Sequence, residues 1–201
     1  MYIGEYADDR TGPPAQRPSV DALDARLVRQ AADGDRRAFE HLYRSYFHRL
    51  ARFLHRLTRN VQLVEEIVND TMLVVWNKAG TWDGSCKVST WVFAIAWRKA
   101  RKRLHALDEA VDADPDLWEA DAGTQPEHRY TQVRRRQALD RALSALPLEQ
   151  RTVVQLTYFH DMAYGDIADI MGCPVNTVKT RMFHARRRLA VLLGDELEEE
   201  A

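Results

Sequence analysis

The stretch "DRRAFEHLYRSYFHRLARFLHRL", residues 35–57, limits what this chain can fold into more than any other. Phe39, Leu42, Tyr43, Tyr46, Leu50, Phe53, Leu54 and Leu57 recur at three- and four-residue spacing, which gathers them on one face of a helix. Asp35 stands where its carboxylate can accept from the free amide hydrogens of the first turn. A shorter stretch before it (Val20, Leu23, Leu27, Val28, Ala31) and a later one over residues 61–76 keep the same period. Gly80 and the Asp83-Gly84 pair break the pattern, and a further helix is expected from Ser89 or Thr90, either of which can cap it. No alternating β pattern of useful length occurs, so the fold class is all-α.

The C-terminal part repeats the helical theme on a smaller scale. Residues 133–146 read as a helix ended by Leu146-Pro147, and Pro147 suits the first turn of the next one. "YGDIADIM" and "NTVKTRMFHARRRLAVLL" then follow, separated by "GCP". A short helix, a Gly-containing turn and a longer helix make the sequence form of a helix-turn-helix, although an αα-hairpin in an unrelated bundle shares it.

Charge divides the chain into the same parts. Residues 20–105 hold 16 Lys/Arg against 9 Asp/Glu, and residues 131–194 hold 10 against 5, whereas residues 106–128 carry eight carboxylates and no Lys or Arg. Two basic modules on an acidic tether fit a polyanion-binding protein whose halves are kept soluble and apart; solvated helix faces with a solvated linker would give the same counts. The expected organisation is a disordered tail over 1–19, a helical domain over 20–106, a flexible acidic linker over 107–130, a helix-turn-helix domain over 131–194 and an acidic tail over 195–201.

On a wheel of 100° per residue, Val178, Met182, Ala185, Leu189 and Leu192 form a core stripe along the last helix. Asn176, Thr180, Phe183 and Arg187 fall opposite, flanked by Lys179 and His184. Amide, hydroxyl, cationic and aromatic groups at a helix start are the kinds that read base edges in a major groove. Phe183 has no core role there and could touch a thymine methyl, or be a harmless exposed ring.

"STWVFAIAWRKARKRLH" (89–105) treated likewise has a core stripe of Val92, Phe93, Ala96, Ala100 and Leu104. Trp91 shares the other face with Ile95, Arg98 and Lys102, and Trp97 lies on the border. An aromatic followed by cations fits an opened strand whose bases stack while its phosphates are neutralised. Alternatively Trp91 packs under the neighbouring loop. A helix lying on anionic lipid is a third option, disfavoured by first turns that are apolar nearly all round.

Other classes find little support. The longest apolar run, residues 91–97, is far short of the roughly 20 residues that cross a bilayer. Nothing at the N-terminus has the form of a secretory signal, so no membrane insertion and a cytoplasmic location are expected. Cys86 and Cys173 belong to no C-x-x-C pair, the histidines form no H-x-x-x-H pair, and no Gly-rich phosphate loop or nucleophile motif occurs. No catalytic residue, metal or cofactor is expected.

These motifs together resemble the extracytoplasmic function (ECF) sigma factors of the bacterial sigma-70 family, two-domain RNA polymerase initiation subunits. The likeness covers residues 22–193. "VEEIVNDTMLVVW" (64–76) is similar to the family's polymerase-clamp helix, and "STWVFAIAWRKARKRL" to its minus-ten helix. Residues 146–189 resemble the minus-thirty-five module almost position by position.

The resemblance implies that Glu65, Glu66, Asn69, Asp70 and Met72 dock on the clamp coiled coil of the largest polymerase subunit. It implies that the loop 83–89, with Ser85 and Lys87, holds an unstacked minus-ten base while Trp91, Arg98 and Lys102 contact the opened strand. Lys179, Thr180, Phe183 and His184, with Asn176 and Arg187, would read the minus-thirty-five duplex. The polymerase flap, promoter DNA and an anti-sigma factor are the further partners implied, and a signal-responsive regulon the output. The chain departs from the family's frequent Asp and Gln at Glu66 and Asn69, its Arg-Asn at Trp97-Arg98, and its Arg at His184. The rival is an autonomous helix-turn-helix regulator whose first domain senses a ligand or dimerises.

Overall fold

The computed structural model describes residues 20–113 and 130–198, with side chains described for 20–107 and 137–194. Eight α-helices and one 3₁₀ turn make up the described residues. The N-terminal tail, residues 199–201 and most of the acidic linker of the sequence reading lie outside them, whereas residues 195–198, expected as tail, continue the last helix.

The first module is built from α1 (Val20–Ala32), α2 (Arg36–Leu57), α3 (Val61–Lys78) and α4 (Val88–Ala113). Asp35 begins α2 as its spacing predicts: its Oδ1 accepts from the amides of Arg37 (2.8 Å) and Ala38 (3.2 Å). Asn60 does the same for α3 through Leu63 N, 3.0 Å away. Replacing Asp35 with Ala is expected to cost about 1 kcal/mol in a urea titration, because the amides it satisfies have no intrahelical acceptor. The predicted stripe of α2 is largely buried, with Tyr46, Leu50, Phe53 and Leu54 at 0% exposure. Tyr46 Oη donates to the buried Asp24 of α1 at 2.6 Å, a polar tie that no periodicity reveals. Burial raises the Asp24 carboxyl above its ordinary value, against the opposing pull of the Tyr46 hydrogen bond and Arg49.

The start of α4 differs from the sequence expectation. The helix begins at Val88, with Trp91 N bonded to Lys87 O, so neither Ser89 nor Thr90 caps it. Thr90 is buried instead. Its far end runs to Ala113, into the stretch expected to be linker.

The second module comprises α5 (Tyr130–Ser144), α6 (Leu148–His160), α7 (Tyr164–Met171) and α8 (Val175–Glu198). α6 ends on Asp161 and α7 on Gly172, both left-handed, at φ 52° and 63°. That conformation reverses the chain after each helix, and glycine adopts it without a Cβ penalty. Val178, Met182 and Ala185 of the predicted stripe are buried, while Leu189 and Leu192 are partly so.

The two modules touch, where the tether was read as holding them apart. One apolar cluster runs through both, from Val28 to Ala185. His160, at the end of α6, lies against Phe93 and Phe53, with ring centroids 4.9 and 5.8 Å away. Arg56 of α2 sits 3.5 Å above the Phe159 ring, and Arg151 of α6 donates to the Leu57 carbonyl at 3.1 Å. Asp166 of α7 accepts from Lys87 Nζ at 3.0 Å and from Thr90 Oγ1 at 3.1 Å. Sequence periodicity reports which face of a helix is buried and carries no information about which module covers it.

Burial, reinforced by Arg49, Arg52 and Arg56 and only partly offset by Asp161, lowers the His160 pKa from 6.5 to about 4. The native imidazole stays neutral between those values, whereas the unfolded chain takes up a proton there. Its contribution to stability is therefore full above pH 6.5 and falls as the pH drops toward 4. Urea midpoints of the wild type, measured relative to His160→Phe, are expected to fall across that window; a constant difference between the two would contradict the assignment.

Candidate nucleic-acid interface

α8 presents its start to solvent. Asn176, Lys179, Thr180, Phe183, His184 and Arg187 are all exposed, Phe183 at 61%. The buried stripe fixes this orientation: with Val178, Met182 and Ala185 in the core, the residues on the opposite side of the wheel must face outward. The Phe183 and His184 rings meet edge to face with centroids 5.5 Å apart. Thr180 Oγ1 donates to the Asn176 carbonyl at 2.9 Å, so it must turn away from that bond to donate to a base. Arg186 is steered by Tyr158 of α6, whose hydroxyl accepts from Nη2 at 2.8 Å and Nε at 3.2 Å. Tyr158 itself was not singled out from the sequence, and its position late in α6 gives no signal on its own.

The loop between α3 and α4 is held by its own side chains. Trp82 Nε1 donates to the Cys86 carbonyl at 3.2 Å, and Asp83 Oδ1 accepts from Ser85 N at 2.9 Å. Gly84 takes φ 81°, which a side-chain-bearing residue rarely adopts. Hydrogen bonds from Ser85 keep the Asp83 carboxyl below its ordinary pKa. Ser85 and Lys87 are left exposed at the loop's rim. Burial, with Asp169, Asp83 and Asp166 nearby, pushes the Cys86 thiol up, away from the reactive thiolate.

Along α4 the face splits. Trp91 is half-buried against the core and Ile95 is buried, so the predicted Trp91 face opens to solvent fully only from Arg98 onward. Arg98, Arg101, Lys102 and His105 line a shallow cationic groove there. Trp97, placed at the border by the wheel, is 2% exposed and belongs to the core. α1, α2, α3 and α7 all pack against α4, and residues 92–97 are all buried, so its first turns are enclosed nearly all round.

α3 carries a separate polar face. Glu65, Glu66 and Asn69 are exposed and Asp70 is half-buried. Asn69 Oδ1 accepts from Tyr43 Oη at 2.8 Å, Asp70 pairs with Lys99 at 3.2 Å, and Glu66 pairs with Arg103. Met72 corrects the sequence expectation: it is 1% exposed, so its side chain supports this face from beneath and is closed to a partner. Leu73, 58% exposed and four residues beyond Asn69 on the same face, is the apolar group that a partner would meet. An apolar residue off the α3 core stripe was the available signal for it.

Among the described residues no His/Cys/Asp/Glu group could hold a metal, and no helix is long and apolar enough to cross a membrane.

Two separate family models match the chain: Sigma-70 region 2 over residues 42–109 and Sigma-70, region 4 over residues 136–189. The ECF RNA polymerase sigma factor SigM of Mycobacterium tuberculosis is 32% identical over 176 residues, 85% of each chain. The chain belongs to the ECF sigma factors. The RNA polymerase sigma-H factor of Pseudomonas aeruginosa is 28% identical over 186 residues, 88% of this sigma factor and 96% of the relative. Among solved structures, CnrH in complex with the cytosolic domain of CnrY covers 86% of this sigma factor at TM-score 0.63 and 25% identity. RpoE of Bartonella quintana, in complex with the anti-sigma factor NepR, shares the fold at TM-score 0.63 and 23% identity. The family models thus fall on the modules that carry the two basic surfaces, and the sigma factor's α8 lies within region 4 up to residue 189.

Proposed function

We propose that this alternative sigma factor docks on core polymerase through α3 and reads a bipartite promoter with its two modules. Glu65, Glu66, Asn69 and Asp70, extended by Leu73, would meet the clamp coiled coil of the largest subunit. Lys179, Thr180, Phe183 and His184, with Asn176 and Arg187, would read the minus-thirty-five duplex, and the second module would also meet the flap. Ser85, Lys87, Trp91, Arg98 and Lys102 would engage the minus-ten element once the strand opens. The observation that carries the reading is the exposed start of α8, six polar, cationic and aromatic side chains opposite a buried stripe.

Control by an anti-sigma factor is part of the same reading. It is supported by the similar RpoE, which was solved in complex with the anti-sigma factor NepR. The protein would act in the cytoplasm, as a non-enzymatic subunit, on a signal-responsive set of promoters.

Transcription by reconstituted holoenzyme from templates altered in one element at a time tests the division of labour. Loss at minus-thirty-five variants should be relieved or redirected by changes in α8 alone, and loss at minus-ten variants by changes in the loop or α4 alone. An α8 change that redirected minus-ten preference would overturn it.

A further inference from the structure

We propose that α7 is an internal docking surface for the promoter-reading loop, with the Asp166 carboxylate occupying Lys87 in place of a DNA phosphate. This rests on the reading of Lys87 as a minus-ten contact. Asp166 has 18% of its side chain exposed, and its two oxygens take one donor each from the first module: Oδ2 from Lys87 Nζ at 3.0 Å and Oδ1 from Thr90 Oγ1 at 3.1 Å. Both donors flank the start of α4, and Lys87 ends the loop that Trp82 and Asp83 hold in shape. An ammonium paired with a carboxylate is not available to a phosphate, so the docked module competes with DNA by charge as well as by bulk. The Lys87 pKa is raised by the same pairing, as expected for an ammonium with a close anionic partner.

The rest of the seam is supplied by α6. Gln155 of α6 is fully buried, and neither its amide nitrogen nor its amide oxygen has a partner among the described residues. It lies four residues after Arg151 and four before Phe159, the two side chains that reach Leu57 and Arg56 of α2. Helical spacing therefore places it on the face turned to the first module. The aromatic contacts of His160 with Phe53 and Phe93 add to the seam. The closed state is thus a reversible cover over the loop, made by the chain's own second module.

Full-length Asp166→Ala and Asp166→Asn, neither of which alters a proposed DNA or polymerase contact, test this with two measurements. X-ray scattering of the free protein should show a larger radius of gyration for Asp166→Ala than for the wild type, with unchanged helical circular dichroism and an intermediate value for Asp166→Asn. Raising salt should expand the wild type toward the Asp166→Ala value, because Lys87 is half-exposed and its attraction to Asp166 is screened. A fluorescent single-stranded minus-ten oligonucleotide should bind free Asp166→Ala about 5-fold or more tightly than wild type. Identical scattering and identical binding for wild type and Asp166→Ala would overturn the proposal. Expansion without any gain in oligonucleotide binding would overturn the competition at Lys87 and the minus-ten role of that residue, while leaving α7 as the docking surface.

Discussion

Trp97→Ala is expected to lower the stability of the protein by about 3–5 kcal/mol, the range for removing a large aromatic side chain from a packed interior. Trp97 is 2% exposed and among the largest fully buried side chains of the molecule. Stability of a whole domain is commonly only about 5–15 kcal/mol, so the variant should lose a large share of it. Trp91→Ala should cost less, because Trp91 is only half-buried. Urea titrations of both variants check the order. A loss under about 1 kcal/mol at Trp97 would mean that it faces solvent or DNA. The result also separates the two uses of α4, since an unfolded first module loses every function while a surface change loses one.

Lys179→Ala combined with Thr180→Val should change which minus-thirty-five sequence the holoenzyme prefers, with each lost base-edge contact worth about 1–3 kcal/mol, roughly 5- to 150-fold in discrimination. Both side chains are exposed, and the Thr180 hydroxyl bonds only to the Asn176 carbonyl of its own helix among the bonds seen. The fold should therefore be unaffected, with a thermal midpoint close to that of wild type. Affinity for core polymerase should also be unchanged, because the proposed clamp face lies on α3 in the other module and Lys179 and Thr180 are proposed as base contacts rather than as contacts to the flap. Competition binding on a panel of minus-thirty-five variants gives the specificity, and titration against core polymerase gives the control. Equal loss on all sequences would make these residues phosphate contacts, and loss of polymerase affinity would make α8 a structural helix.

What the sequence made legible was whatever repeats with the period of a helix. The buried face of α2, the Asp35 cap, and the opposition of Val178, Met182 and Ala185 to Lys179, Thr180 and Phe183 all follow from one local rule. Met72 keeps that period, four residues after Val68 and three before Val75, and only the family resemblance assigned it to the outer face; Trp97, which the wheel put on a border, escaped the rule. Trp97 sits beside residues that the wheel assigned to the outer face, and it is buried. At α4 the enclosing elements come from both modules, so no wheel drawn for one helix could show that Trp97 is covered. The tie between Asp24 and Tyr46, and the docking of Asp166 on Lys87, pair residues 22 and 79 positions apart. Contacts at such separations leave no periodic trace, and the charge pattern that divides the chain into two basic modules points away from their meeting.

The most direct measurement of the central claim is transcription from a pool of random templates by purified core polymerase with and without this protein. The account predicts transcripts that appear only when the protein is present, and whose templates share two conserved elements upstream of the start. It predicts further that Lys179 and Thr180 changes alter the upstream element alone. No protein-dependent transcript from any template, together with tight sequence-specific binding to duplex DNA in the absence of polymerase, would contradict it.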